Sequence, residues 1–404
     1  MQNRLYLHSL FINIIKVEQL NSIYKELLAK TSLSFKRYLL DEINWESRLI
    51  AITGARGTGK TTLMLQKIKI DRQDDKSLYV SVDNIYFSNN SIFELAGTFY
   101  KYGGRFLYLD EVHKYKGWSQ EIKNIYDSYP DLKVVFSGSS ILDIYKGFGD
   151  LSRRVVPYYL NGMSFREYLM FENGMEYRKF KLDDVLSHKI EIDLESPLAY
   201  FKNYLNEGYY PFYKEKDFRI RLNGAINTVL ETDIPKYLEL KVSTIEKLKQ
   251  LLQIISECVP FKPNFSKIAD MIGISRNLIP DYFSYLERAG LILQLRDNTK
   301  GVRSLGKVHK VYLNNTNLIA TLSGTNANAG NIRETFFMNQ LGVSQKIFSH
   351  EKSDFIINNM IFEIGGKNKT NKQIKEIDNG FVIKDDIEHG FGKTIPLWHF
   401  GLMY

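Results

Sequence analysis

The spacing richest in chemistry lies near the start of the chain, where Gly54-Ala55-Arg56-Gly57-Thr58-Gly59-Lys60-Thr61 fits the pattern GxxxxGK[ST]. Glycines at 54, 57 and 59 let the backbone wrap so that successive N–H groups point inward, the arrangement that holds phosphate oxygens. Lys60 brings a cation to the β- and γ-phosphates of a nucleotide, and the Thr61 hydroxyl suits Mg²⁺. Ala55, Arg56, Thr58 and Thr62 complete the expected cradle. The helix that follows the loop adds its positive N-terminal end to the same site.

A second set of residues follows. Phe106 to Leu109 reads as a buried strand ending in Asp110-Glu111. Asp110 is placed to hold the Mg²⁺ water shell, and Glu111 to polarise the attacking water. The next apolar strand ends in Ser137-Gly138-Ser139-Ser140. If it inserts between the loop strand and the Asp110 strand, Ser137 first and Ser139 second are the groups that reach a γ-phosphate. Arg153 and Arg154 are candidates for stabilising transferred charge, in trans from a neighbouring copy or in cis. His113 reads as structural. No guanine-reading NKxD motif follows, so ATP with Mg²⁺ is the expected pair. A small-molecule kinase would need an arginine-rich lid and an acceptor pocket, and neither is visible.

The elements that must position these residues can be read from hydrophobic patterning. Leu49–Ile52, 78–82, 106–109 and 133–136 are continuous apolar runs rather than alternating ones, which marks a parallel sheet buried on both faces with helical crossovers. The chain, at 404 residues, is too long for one core. We expect a helical segment over 1–47, an α/β P-loop core over 48–170, a linker and helical segment over 171–242, a helix-turn-helix with a wing over 243–310, and a mixed α+β domain over 311–404.

Composition is that of a soluble globular protein, with 44% hydrophobic and 25% charged residues and a net charge of +8 that favours an anionic partner. The single cysteine, Cys258, excludes intramolecular disulfides and cysteine-cluster metal sites and fits a reducing compartment. The apolar stretch over 5–15 is broken by His8 and Asn13 and has no small-residue cleavage site. No apolar run reaches the ~18 residues a membrane span needs. A cytoplasmic protein without membrane association is expected.

Four stretches, GARGTGKTTL, FLYLDEVHKYKGW, VVFSGSS and RRVVPYYLNGMSFREYL, together resemble the prokaryotic AAA-type ATPases that carry a C-terminal domain of unknown function. YLNEGYYP at 204–211, ETDIP at 231–235, NIRETFFMNQL at 331–341 and FEIGGK at 362–367 extend the resemblance over nearly the whole chain. It implies an AAA+ core, then a winged helix, then a fold like the restriction-endonuclease core. It implies no physiological role.

In the helical unit, Phe265 to Ile272 reads as one helix, Gly273-Ile274-Ser275 as the turn with Ser275 as N-cap, and Arg276 to Ala289 as the second helix. Pro280 implies a late start or a kink there. From 243 to 310 there are 11 Lys or Arg against 6 Asp or Glu, and Arg276 and Lys267 are the first candidates for DNA contact. In the tail, Glu334, Asp354 and Glu363 match the acids of an endonuclease-like site. The position two after Glu363 is Gly365, however, and the lysine comes at Lys367. A domain that binds rather than cleaves is expected. Three functions stay open: an ATP-driven motor or switch working with nucleic acid, a slow nucleotide-gated scaffold contacting proteins, and a tail-domain nuclease. Homo-oligomers are a further candidate assembly.

Overall fold

The computed structural model describes residues 18–72, 74–139, 147, 149–235, 242–257, 263–298, 307–324, 327–370 and 377–404. The apolar stretch over 5–15, Ser140 and Cys258 lie outside them. The chain divides into two compact units, Met1–Asn161 and Gly162–Tyr404.

The first unit opens with helix α1 (18–30) and a short helix at Leu39–Glu42. A sheet follows in which β1 (Leu49–Thr53), β2 (Ser77–Ser81), β3 (Phe106–Asp110), β4 (Lys133–Gly138) and β5 (Val156–Tyr159) run parallel in the order β2-β3-β4-β1-β5. Helices α2 (Lys60–Asp71), α3 (Ile92–Lys101) and α4 (Trp118–Ser128) connect the strands. The continuous apolar runs are explained by burial on both faces: Ile50, Ile52, Leu107, Leu109 and Phe136 have no exposed surface. β5 is the exception, an exposed edge strand that accommodates Pro157 because one of its sides needs no ladder partner. β4 does insert between β1 and β3, so the tips of the loop strand, the Asp110 strand and the Ser137 strand are neighbours.

The second unit begins with α5 (Phe165–Asn173), α6 (Pro197–Glu207) and α7 (Phe218–Thr228). Phe165 packs against Phe201, Tyr204 and Trp398, which sets α5 inside this unit. The segment read as a linker is likewise folded in: Tyr177, Phe180, Leu182 and Val185 are buried, and Phe180 N–H donates to Leu402 O at 3.1 Å. Its polar sequence conceals four apolar anchors spaced too irregularly to signal a helix or a strand.

Next come α8 (Val242–Glu257), α9 (Phe265–Ile272) and α10 (Ile279–Arg288), then an antiparallel pair, β6 (Ile292–Arg296) and β7 (Val308–Leu313). The expected first helix matches α9, which Gly273 ends in the left-handed conformation at φ +65°. The second helix starts late. A 3₁₀ turn at Arg276–Leu278 precedes α10, and Pro280 sits in the first helical turn, where its missing N–H costs nothing. Ser275 makes no side-chain cap; Asn264 supplies one to α9 by accepting from Lys267 N–H.

After α11 (Thr316–Leu322) and α12 (Ala329–Leu341), the tail forms a second sheet from β8 (Phe348–Ser349), β9 (Phe355–Ile357), β10 (Met360–Gly365), β11 (Gly380–Lys384) and β12 (Thr394–Pro396). Its order is β12-β11-β10-β9-β8, antiparallel from β8 to β10 and parallel from β10 to β12. α12 covers this sheet through Phe337, which meets Phe355, Phe362 and Phe400. Among the described residues no helix is long and apolar enough to cross a membrane.

Candidate nucleotide site

The loop between β1 and α2 turns on glycines: Gly54, Gly57 and Gly59 all adopt positive φ, at 152°, 83° and 95°. Gly54 also lies so close beneath the chain leaving β5 that a Cβ there would stand 2.4 Å from Leu160 O. Within the loop, buried Lys60 donates from Nζ to Gly54 O at 2.9 Å and to Ala55 O at 3.0 Å. Thr58 is buried, Arg56 half-buried, and Gly57 and Thr62 exposed.

At the tip of β3 the Asp110 carboxylate is only 2% exposed, and its charge is satisfied by donors from several elements. Thr61 Oγ1 donates to Oδ2 at 2.5 Å and the Tyr79 hydroxyl at 2.7 Å. Ser137 Oγ and Glu111 N–H serve Oδ1. The structure thus brings Thr61, Asp110 and Ser137 together. A hydroxyl and a carboxylate converging in this way form the hard-oxygen donor set that suits Mg²⁺. Tyr79 is an addition that its apolar strand gave no reason to single out. Its hydroxyl is held protonated, because burial and the Asp110 charge push its pKa upward.

Glu111 has its backbone in the left-handed region at φ +54°, a conformation that costs a non-glycine residue energy and turns the side chain off the strand tip. Ser139 Oγ donates to its Oε2 at 3.2 Å, and His113 Nε2 lies 3.4 Å from the same oxygen. His113, read as structural, therefore touches the expected base. Burial raises the Glu111 pKa, with Lys60 opposing, Asp110 adding, and Arg56 and Ser139 opposing more weakly.

Arg153 and Arg154 fall elsewhere. β5 runs parallel to β1 with Tyr159 opposite Thr53, so residues ahead of Val156 lie at the sheet edge away from the loop. Arg154 lies in the turn before β5, pairs with Asp127 at 3.0 Å and faces the Tyr126 ring, and Arg153 is exposed.

The tail acids gather from α12 (Glu334), the residue before β9 (Asp354) and β10 (Glu363), with lysines among them. Lys310 Nζ sits 2.8 Å from Glu334 Oε2 and 3.1 Å from Asp354 Oδ1. Tyr312 donates to Glu334 at 2.6 Å, and Ile364 N–H to Asp354 at 2.9 Å. The lysine on Glu363 is Lys369, at 2.5 Å, while Lys367 is exposed. The chain after Gly365-Gly366 returns the residue six places on from Glu363, not Lys367 four places on. Among the described residues no group of three or more acids, histidines or cysteines has a metal-holding arrangement.

Residues 46–169 match the family model described as an AAA domain. The first unit thus holds an AAA-type P-loop core. Residues 198–329 match a domain of unknown function, DUF8612. No curated protein matches the chain. Among solved structures, a Walker-type ATPase of Pyrococcus abyssi is similar at 12% identity and TM-score 0.41, covering 72% of this chain and 99% of its own. AMPPCP-bound DnaA from Aquifex aeolicus is similar at 16% identity and TM-score 0.28, covering 66% of this chain and 88% of its own.

Two outcomes follow from the charges in these sites. Because burial raises the Glu111 pKa in the folded AAA core, the fold favours the neutral acid. That contribution is fully present below the ordinary carboxylate pKa of about 4 and is lost as pH rises through the raised value. Glu111→Gln should therefore raise the melting temperature of the nucleotide-free protein at pH 7 but not at pH 4; equal shifts at both would contradict the assignment. In the tail, Lys369→Met leaves Glu363 without its cation and should cost up to about 3 kcal/mol in urea unfolding, with Lys367→Met close to neutral.

Proposed function

We propose that the chain is a Mg²⁺-dependent ATP hydrolase that works as a motor or switch. The observation that carries this reading is the convergence of Thr61 and Ser137 on Asp110, beside a glycine loop that already holds Lys60. In the reaction, Lys60 releases the Gly54 and Ala55 carbonyls and pairs with phosphate oxygens. Thr61 and Asp110 would hold the Mg²⁺, which when bound neutralises charge on the β- and γ-phosphates. Glu111 accepts a proton from the attacking water, and Ser137 orients a γ-phosphate oxygen. Arg153, exposed at the far edge of the sheet, is the arginine available to the site of a second copy in a homo-oligomer.

A nucleic-acid partner is favoured by a groove of about 670 Å³ between α9, α10 and the β6–β7 pair, which we read as a winged helix. Arg276, Arg296 and Lys307 line it together with Ser266 and Ser284, and Phe265 and Phe283 form its floor. Arg296 is partly neutralised by Glu287 at 3.2 Å. Lys267 stands exposed on α9 outside the groove, so Arg276 and Lys307 are the stronger phosphate contacts. The tail is read as an endonuclease-like fold whose acids are neutralised by Lys310 and Lys369, a binding domain rather than a nuclease.

Lys60→Ala should weaken ATP binding at least tenfold, since charge-assisted hydrogen bonds of this kind contribute roughly 1.5–3 kcal/mol. Glu111→Gln should bind ATP and fail to hydrolyse it. Parental ATP affinity in the first variant would remove the cradle assignment, and a parental rate in the second would place the base elsewhere. For the groove, Arg276→Ala and Lys307→Ala should each reduce the salt slope of DNA binding by about 0.9. Absence of DNA binding by the full chain at low salt would favour the protein-contacting scaffold instead.

A further inference from the structure

Arg37 lies in the stretch between α1 and β1, to which the motifs assign no chemistry. Its side chain is nonetheless 96% buried against the loop, being only 4% exposed. One guanidinium nitrogen, Nη1, donates to Thr58 O inside the loop, and Nη2 donates to Asn161 O at 2.7 Å. The backbone that carries it is tied down from α2: Gln66 Nε2 donates to Ser32 O and Phe35 O at 2.8 and 2.7 Å, and Lys69 Nζ to Thr31 O at 2.6 Å. A planar, permanently charged fork is thus held in place behind the phosphate loop.

The consequence follows from the rigidity of the peptide bond. In a trans peptide the C=O and the following N–H point in opposite directions across one plane. Holding Thr58 C=O outward against Arg37 therefore turns the Gly59 N–H toward the inside of the loop. That plane turns about Thr58 ψ and Gly59 φ, and Gly59, at φ +95°, permits the rotation at little steric cost. With the plane rotated, a carbonyl dipole rather than an N–H would face the phosphates.

We propose that Arg37 is a positioning residue of the nucleotide site, which orients the Thr58–Gly59 peptide for nucleoside di- and triphosphates. This rests on the ATPase reading and adds to it a residue outside the loop motif.

The test compares ATP and ADP dissociation constants and nucleotide-free melting temperatures for the full-length wild type, Lys60→Ala, Arg37→Met and Arg37→Lys. Arg37→Met should weaken both nucleotides about tenfold, because a charge-assisted bond that orients the cradle is lost. Arg37→Lys reaches one carbonyl at a time and should recover part of that loss. A purely structural arginine would lower the melting temperature and leave both constants unchanged. If the methionine variant does not fold, the lysine variant decides, and parental affinity in the folded variants overturns the proposal. Failure of the wild type to bind ATP would instead remove the ATPase reading beneath it, whereas wild-type binding that Lys60→Ala abolishes and Arg37 variants leave intact would remove this inference alone.

Discussion

A carboxylate almost wholly withdrawn from water must be compensated, and Asp110 is the charge around which the first unit is organised. Its compensation comes from neutral donors: two hydroxyls and a phenol from α2, β4 and β2, and the backbone N–H of Glu111. Each donor belongs to a different piece of the chain. The order of the sheet, with β4 between β1 and β3, is what makes their convergence geometrically available. Hydroxyls solve the problem in a way a lysine would not, because they leave the carboxylate's negative charge in place for a cation to use.

The second unit meets the same constraint differently. Glu334, Asp354 and Glu363 are also largely withdrawn from solvent, but here two lysines, Lys310 and Lys369, join the neutral donors Tyr312 and Ile364 N–H. Burial raises the Glu334 and Glu363 pKa values, and the lysines oppose that rise. The two lysines thus offset part of the charge of the three carboxylates. The contrast with Asp110 explains why the two acid sites lead to different functional readings.

Backbone geometry contributes as much as charge. The left-handed conformation of Glu111 turns its side chain toward Ser139 and His113, away from the direction a regular strand continuation would give it. Arg37 holds the carbonyl of the Thr58–Gly59 peptide, whose glycine end leaves the plane free to turn. Freedom to wrap around phosphate and freedom to rotate away from it are the same property, and an external donor resolves it.

Much of the first unit was legible in the sequence because its signals are local. Continuous apolar runs report burial on both faces, and glycine spacing followed by Lys60-Thr61 reports a loop whose geometry few other sequences can adopt. α9 was legible for the same reason, since apolar periodicity and a glycine stop lie within a dozen residues. The positions of Pro280 and of the late start of α10 were readable as alternatives, and local helix geometry chose between them. Other features depended on contacts between residues distant in the chain. Tyr79 on Asp110, Arg37 on Thr58, and Phe180 N–H on Leu402 O carry no periodic or spacing signal. A side chain's partner across 20 or more residues is selected by where the backbone returns, and only the packed structure decides that.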